Sequence, residues 1–164
     1  MRGITFLRGV VLALCVLLLS GCGYNQIQSK DEAVKAGWSE VLNQYKRRAD
    51  LIPNLVNTVK GYAAHEQGVL TAVTEARAKV SNIQVNADDP ASLAQFQAAQ
   101  GELSGALSRL LVTVENYPNL KADQGFLGMQ TQLEGSENRI TVARGRYIKA
   151  VQDYNTYIRQ FPVN

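Results

Sequence analysis

Apolar residues recur along most of this chain at spacings of three, four and seven residues, which is the pattern of helices that bury one face. In the first such region Ile27, Val34 and Val41 repeat every seven residues, and Arg48 falls on the same register. The pattern predicts a first helix from about Lys30 to Arg48.

A second apolar seam follows at once. Asp50 is suited to cap a helix, and Pro53 would be tolerated in a first helical turn. We therefore expect a break between two helices near Asp50; the alternative is one long helix over residues 30–83 that is kinked at Pro53. The positions of this second seam are Leu55, Val59, Tyr62, Glu66, Val69, Val73, Ala76, Val80 and Ile83.

Two more seams predict a third and a fourth helix. Asp89 and Pro90 are suited to the cap and the first turn of the third helix. Pro118 ends or bends that helix, and the fourth begins near Lys121 and stops at Pro162. The third seam comprises Leu93, Phe96, Gln100, Leu103, Leu107, Leu110, Val114 and Tyr117, and the fourth comprises Phe126, Leu133, Ile140, Tyr147, Tyr154 and Phe161.

Four seams with an average spacing of about 3.5 residues are typical of left-handed, coiled-coil-like packing. The expected fold class is all-α, an elongated antiparallel four-helix bundle with coiled-coil-like seams. A partial internal repeat, which could also be a chance similarity, would be consistent with two paired helical hairpins. It matches Ile52-Pro53-Asn54-Leu55 with Tyr117-Pro118-Asn119-Leu120.

The N-terminus has the features of a lipoprotein targeting signal. Arg2 and Arg8 precede an apolar run over residues 9–20. This run is shorter than the roughly 20 residues that a membrane-spanning helix needs. The run ends in Leu19-Ser20-Gly21-Cys22, a small-residue cleavage site directly before a cysteine. We expect residues 1–21 to be removed and Cys22 to carry a diacylglyceryl group and an N-acyl chain such as palmitate. An ordinary signal peptide with a nearby cysteine is the alternative.

A lipid on Cys22 would hold the protein on a membrane without spanning it, because two or more acyl chains anchor stably. Residues 22–29 would then be a lipid-anchored tether, and residues 30–164 the helical domain. Gly23 occupies the position where an Asp would direct inner-membrane retention in a Gram-negative cell, which favours the outer membrane. The expected location is the extracytoplasmic cell envelope.

Composition and motifs exclude several classes of function. Cys15 would be removed, so no free cysteine remains for a disulfide or a metal. Removal of Arg2 and Arg8 leaves 15 of the 17 basic residues against 14 acidic ones. The mature chain therefore lacks the excess of positive charge that is typical of nucleic-acid-binding proteins. A di-metal site needs Glu-x-x-His on two helices, whereas the single histidine, His65, directly precedes Glu66. Catalytic triads and phosphate loops are absent too. We expect no metal, no cofactor and no enzymatic activity.

Two groups of residues are candidate sites. Arg47, Arg48, Asp50 and Asn54 lie at the predicted corner between the first two helices and are a candidate partner surface. The two arginines could instead contact lipid headgroups or form a solvated helix end, and Asp50 and Asn54 could simply close the turn.

The second group is Glu66, Glu137 and Arg144. Glu66 falls on the second seam, and Glu137 and Arg144 fall on intermediate positions of the fourth seam, four residues after Leu133 and Ile140. A charge on a seam is costly without a partner, so these residues could form an interhelical polar layer that sets the helix register. Arg77 and Glu102 are candidate partners for this layer. The alternative is that the three residues face the solvated flank.

Two blocks of sequence carry a resemblance to a known family. The first covers residues 43–56 and continues through Thr58-Val59-Lys60-Gly61-Tyr62-Ala63 and His65-Glu66. The second starts at Tyr117-Pro118-Asn119-Leu120-Lys121-Ala122 and follows the fourth seam. Together they closely resemble the LemA family over nearly all of the mature chain. Ile148 departs from the family, whose members tend to carry Asn there.

The resemblance implies an extracytoplasmic antiparallel helical bundle without an established enzymatic activity. Members of the family often look linked to membrane-bound zinc proteases or other small envelope proteins. We therefore expect an adaptor or accessory subunit of a membrane complex, with a membrane or envelope protein as its partner. A small-molecule sensor or carrier that uses the polar layer is the alternative, and an envelope scaffold is a third hypothesis.

Overall fold

The computed structural model describes residues 2–86 and 89–160, and its side chains from residue 24 onward. Three predictions lie outside this part: the lipidation of the Cys22 side chain, the seam position of Phe161 and the helix stop at Pro162. The described chain forms five helices and no strand, which confirms the all-α class. They are α1 (Arg2–Tyr62), α2 (Gln67–Asn82), α3 (Pro90–Val114), α4 (Pro118–Lys121) and α5 (Gln124–Tyr157).

The first helix passes through Asp50 and Pro53 without interruption, so the predicted break at this point is wrong. Pro53 has no N–H to donate to the carbonyl of Ala49, four residues earlier. The Nε of Arg77 in α2 donates to that carbonyl instead, at 2.9 Å. The helix therefore tolerates the proline because a side chain from another helix supplies the missing hydrogen bond.

The reversal between α1 and α2 lies at residues 63–66. There Ala63 N donates to Val59 O at 2.8 Å and Glu66 N donates to Ala63 O at 3.1 Å. This turn divides the predicted second seam between two helices, which also rules out a single helix over residues 30–83. Leu55, Val59 and Tyr62 of the seam belong to α1. Glu66 directly precedes α2, Ile83 directly follows it, and the seam members Val69, Val73, Ala76 and Val80 belong to α2.

Residues 22–29, the expected tether, lie within α1 as helix. At about 1.5 Å per residue, a helix shortens the reach of such a segment compared with an extended chain. Within the described part of the chain, none of the helices is both long enough and apolar enough to cross a membrane.

Two aspartates cap the first turns of helices, and the sequence pattern predicts one of them, Asp89. The Asp89 carboxylate accepts a hydrogen bond from Ala91 N at 2.9 Å, which confirms its role as the cap of α3. Asp123 does the same for α5, because its Oδ1 accepts from Phe126 N at 2.8 Å. These side chains satisfy backbone donors that the first turn of a helix leaves free.

The segment between α3 and α5 is more divided than predicted. Val114 ends α3, Pro118 opens the short α4, and Lys121, the predicted start of the last helix, closes α4. Pro118 thus begins a helix whereas Pro53 lies inside one. The two proline segments that look alike in sequence do not take equivalent positions.

The described helices divide between two compact units, one of residues 1–39 and 144–164 and the other of residues 40–143. In the first unit α1 and α5 run antiparallel. The rings of Trp38 and Tyr147 lie 5.2 Å apart, and Lys30 Nζ lies 5.4 Å from the ring centre of Tyr157. A Cβ on Gly37 would lie 3.3 Å from the Tyr147 Cα, so the two helices approach closely at this glycine.

The second unit contains the main apolar core. All five helices contribute buried side chains to it, and the predicted seams supply most of them. The core residues are Ile52, Leu55, Val59, Ala63, Leu70, Val73, Ala76, Val80, Phe96, Ala99, Leu103, Ala106, Leu107, Leu110, Val114, Leu120, Phe126 and Leu133.

Candidate functional site

A charged side chain from α1 lies in the interior of the second unit. The Arg48 guanidinium donates to the Ser104 hydroxyl at 3.2 Å, to the side-chain carbonyl of Gln100 and to the Glu137 carboxylate. We name these four residues the Arg48 cluster. The Arg48 side chain is 2% exposed and that of Glu137 is 53% exposed, so the ion pair is buried at one end and solvated at the other.

The helical register explains why Arg48 points inward. It lies seven residues after Val41 and seven before Leu55, which are 1% and 0% exposed. The guanidinium carbon also lies 5.4 Å from the ring centre of Tyr45, within the range of a cation–π contact. The interior at this level therefore offers Arg48 an anion, two neutral acceptors and an aromatic face.

The cluster is not fully satisfied. Arg48 Nε, Gln100 Nε2 and the Oε1 of nearby Gln44 are shielded from water, and none has a hydrogen-bond partner among the residues that the structure describes. A buried polar atom without a partner costs about 1–3 kcal/mol. A purely apolar layer of similar volume would avoid this cost, so the cluster does not maximise stability.

The candidate partner surface is only partly on the surface. Arg47, Asp50 and Asn54 are exposed, and their spacing of three and four residues places them on one face of α1. We name these three residues the α1 polar face. Arg48 is not part of it, because the structure places its side chain in the interior. The surface also lies along a continuous helix and not at a corner between two helices.

The three residues of the predicted polar layer are not brought together. Glu137 pairs with Arg48, while Glu66 Oε1 accepts a hydrogen bond from the Tyr117 hydroxyl at 2.9 Å. The side chain of Arg144 is exposed and belongs to the other unit. Only Glu137 of the three is paired with a buried charge.

The candidate partners of that layer have other roles. Arg77 donates to the carbonyl of Ala49, and Glu102 pairs with Lys79 at 2.7 Å. The hydrogen bond to Glu102 raises the pKa of Lys79. Arg77 therefore links α2 to α1, and Glu102 links α3 to α2, through hydrogen bonds that do not involve the Arg48 cluster.

Two tyrosine–carboxylate hydrogen bonds lie where α1 ends. Tyr62 donates to Asp123 at 3.0 Å, and Tyr117 donates to Glu66. The hydrogen bonds raise the pKa of each tyrosine. The pKa of Asp123 is lowered, mainly by the backbone N–H of Phe126 and then by Tyr62. These contacts tie helix ends together.

The sequence patterns did not single out two members of the Arg48 cluster as site residues. Gln100 lies on the predicted third seam and is 5% exposed, and a polar side chain on an apolar seam is the signal that could have identified it. Ser104 lies one turn later on α3 and carries no comparable signal. Among the described residues, no group of three or more His, Cys, Asp or Glu is placed to hold a metal ion.

Comparison with known proteins gives a consistent set of relatives. The profile of the LemA family matches residues 37–164. Protein LemA of Metamycoplasma hominis is 28% identical over 141 residues, which cover 85% of this chain and 58% of the relative. Magnetosome protein MamQ 2 of Paramagnetospirillum magneticum is 26% identical over 176 residues, covering 94% of this chain and 63% of the relative. This chain therefore spans less than two thirds of the length of these relatives.

Proposed function

Because the chain belongs to the LemA family, we propose that it is a non-enzymatic adaptor or accessory subunit of a membrane complex in the cell envelope. Its relatives are named as a LemA protein and as magnetosome proteins, and neither name is that of an enzyme. The partner in this proposal is a membrane or envelope protein that binds a surface of the helical domain.

The observation that carries the proposal is the α1 polar face. Arg47, Asp50 and Asn54 offer a cation, an anion and an amide from successive turns of one helix. The opposite side of α1 is fixed in the core by Ile52 and Leu55, which are 1% and 0% exposed. A polar face on a helix that is held in this way is preorganised, which reduces the entropic cost of binding a partner.

The proposal includes the lipid anchor. A diacylglyceryl group and an N-acyl chain such as palmitate on Cys22 would hold the protein at a membrane, and the outer membrane is favoured where the cell has one. The support for this comes from the Leu19-Ser20-Gly21-Cys22 segment. Such an anchor would keep the protein close to a membrane partner and so raise the effective concentration of each for the other.

We also propose that the second unit is an antiparallel four-helix bundle made of α1, α2, α3 and α5. The contacts of Arg48 with Glu137 and of Tyr62 with Asp123 support opposite directions for α1 and α5. The contacts of Arg48 with Gln100 and of Glu66 with Tyr117 support parallel directions for α1 and α3.

Affinity capture tests the adaptor role. The full chain is crosslinked mildly in its own membranes, solubilised in detergent and captured, beside a variant in which Arg47, Asp50 and Asn54 are all changed to Ala. The matched control changes Arg139, Glu134 and Asn138, an exposed set of the same chemistry on α5.

The expected result is one envelope protein recovered in near-stoichiometric amount with the wild type and the α5 control, and lost with the α1 variant. Recovery of the bait alone, or equal recovery of the partner with all three proteins, would contradict the proposal. A Cys22→Ala variant tests the anchor separately, because it should no longer incorporate radiolabelled palmitate and should leave the membrane fraction.

A further inference from the structure

A groove opens on the second unit between α1, the end of α2, residues 83–85 and α3. Its cavity volume is about 320 Å³. Most of its wall is apolar and includes Tyr45, Val80, Ile83, Val85 and Phe96. The rings of Tyr45 and Phe96 meet edge to face, with centres 5.2 Å apart. The volume is at the small end of ligand sites, which start at about 300 Å³.

Two opposite charges stand at the rim of this groove. Lys46 and Asp50 both line it, are exposed, and lie one helical turn apart on α1. Neither forms an ion pair with the other or with any further residue of the described chain. Along a helix, a basic residue four positions before an acidic one forms a weaker ion pair than the reverse order does. Both charges are thus available to a ligand.

A buried donor lies in the wall below them. Gln100 lines the groove and is 5% exposed, and its side-chain carbonyl is occupied by Arg48. Its Nε2 is shielded from water and has no acceptor within the part of the chain that the structure describes. A ligand oxygen that reached this atom would supply a hydrogen bond that the unliganded protein lacks.

We propose that this groove binds a free apolar α-amino acid, with its side chain between Tyr45, Val80 and Phe96, its carboxylate at Lys46 and its ammonium group at Asp50. Side chains one turn apart on a helix have Cβ atoms about 5–6 Å apart, a span that the two charged groups of one amino acid can bridge. The wall selects an apolar side chain, and the rim selects a zwitterion. This binding activity goes beyond the adaptor role and does not depend on it.

Calorimetric titration of the full chain in detergent tests the site. L-Leucine and L-phenylalanine are the probes, and three compounds each remove one recognised feature. Glycine lacks the apolar side chain, phenylalaninamide lacks the carboxylate, and N-acetylphenylalanine lacks the ammonium group. Saturable binding of leucine or phenylalanine is expected, with affinity at least about tenfold lower for each of the three comparison compounds.

Variants assign the binding to the groove. Lys46→Met should abolish the preference for phenylalanine over phenylalaninamide. Asp50→Asn should abolish the preference for phenylalanine over N-acetylphenylalanine. Val85→Trp fills the groove and should abolish binding. Val112→Trp, at a position that is 70% exposed elsewhere on α3, should leave binding unchanged. Circular dichroism verifies that each variant is folded.

Absence of saturable binding of either amino acid to the folded wild type would overturn the proposal. Glycine binding as tightly as leucine, or undiminished binding by folded Val85→Trp, would overturn it too. The amino-acid site shares Asp50 with the α1 polar face, but calorimetry and affinity capture are separate readouts, so either proposal can fail alone.

Discussion

The Nε of Arg77 donates a hydrogen bond, 2.9 Å long, to the carbonyl of Ala49. This is the carbonyl that Pro53 leaves without its usual backbone donor. The contact joins α2 to the middle of α1 and allows a single helix to pass through a proline. The residues on either side of Pro53 therefore keep one register, which places Arg48 and Leu55 inside and Asp50 and Asn54 outside.

A double-mutant cycle tests this relationship. Arg77→Met should lower the free energy of unfolding by about 1–3 kcal/mol, because it leaves the Ala49 carbonyl without a donor. In a Pro53→Ala background the residue-53 N–H can bond the same carbonyl, so Arg77→Met should cost clearly less there. Urea denaturation of the four proteins measures the difference. Equal costs in both backgrounds would show that the hydrogen bond to Ala49 is not what Arg77 contributes.

The continuity of α1 could have been read from the sequence. The seven-residue repeat of Val34, Val41 and Arg48 continues to Leu55 across the proline, and a continuing register predicts a continuing helix. The local signal of Asp50 and Pro53, which is typical of a helix start, predicts a break instead. The hydrogen bond that decides the outcome comes from 28 residues away in the chain, and no local pattern reveals it.

The cap of α3 and most of the core follow directly from the sequence, and the Arg48 cluster does so only in part. Asp89 caps α3 as its position before Pro90 predicts, since a cap is a contact within one turn. Arg48 occupies an inward register, but a charged residue is almost never fully buried unless it is paired. Its partners Gln100 and Glu137 lie 52 and 89 residues away, so their pairing depends on tertiary packing.

The ion pair of Arg48 and Glu137 should respond unequally to the loss of each partner. Glu137→Gln leaves a guanidinium that is 2% exposed without its anion. The loss of one member of a fully buried pair costs about 3–5 kcal/mol. Because water screens the exposed Glu137 carboxylate, we expect a loss at the low end of this range. Arg48→Met leaves a carboxylate that is 53% exposed and still hydrated, so we expect a smaller loss, of about 1–3 kcal/mol for the unsatisfied Gln100 carbonyl.

Urea denaturation of the single and double variants measures this asymmetry. The protein that carries both Arg48→Met and Glu137→Gln should be more stable than the one that carries Glu137→Gln alone, because the uncompensated buried charge is then absent. An Arg48→Met protein less stable than Glu137→Gln would contradict this account of the cluster.

The close approach of α1 and α5 at Gly37 leads to a prediction with an internal control. An alanine normally stabilises a helix interior by about 1 kcal/mol relative to glycine. Gly105→Ala on α3 should show this gain, because a Cβ there meets nothing within 4 Å. Gly37→Ala should gain less or lose stability, since its Cβ would lie 3.3 Å from the Tyr147 backbone. Equal gains for the two variants would show that the helices are not in close contact at Gly37.

The pH dependence of stability should report the environment of Asp123. Its folded-state pKa lies below the ordinary value, mainly because Phe126 N–H donates to the carboxylate and then because Tyr62 does. A depressed carboxyl pKa stabilises the fold at pH values above the unfolded-state pKa of about 3.9, and this contribution is lost as the pH falls through the folded-state pKa.

Melting temperatures of the wild type and Asp123→Asn measure this contribution. The wild type should melt higher above about pH 5, and the difference should shrink below about pH 4. In a Tyr62→Phe background, the difference in melting temperature caused by Asp123→Asn should become smaller but not disappear, because the Phe126 N–H still donates to Asp123. Parallel loss of stability in the wild type and Asp123→Asn from about pH 5 to 3 would refute the prediction.

Site-specific photo-crosslinking in living cells tests the proposed partner surface most directly. A photoreactive amino acid is placed at Asn54, in the α1 polar face, and at Asn138, an exposed position on α5, in otherwise wild-type chains. The account predicts a discrete crosslinked product from Asn54 and none of the same size from Asn138. Products of the same size and yield from both positions, or none from Asn54, would contradict the claim that the α1 polar face binds a partner.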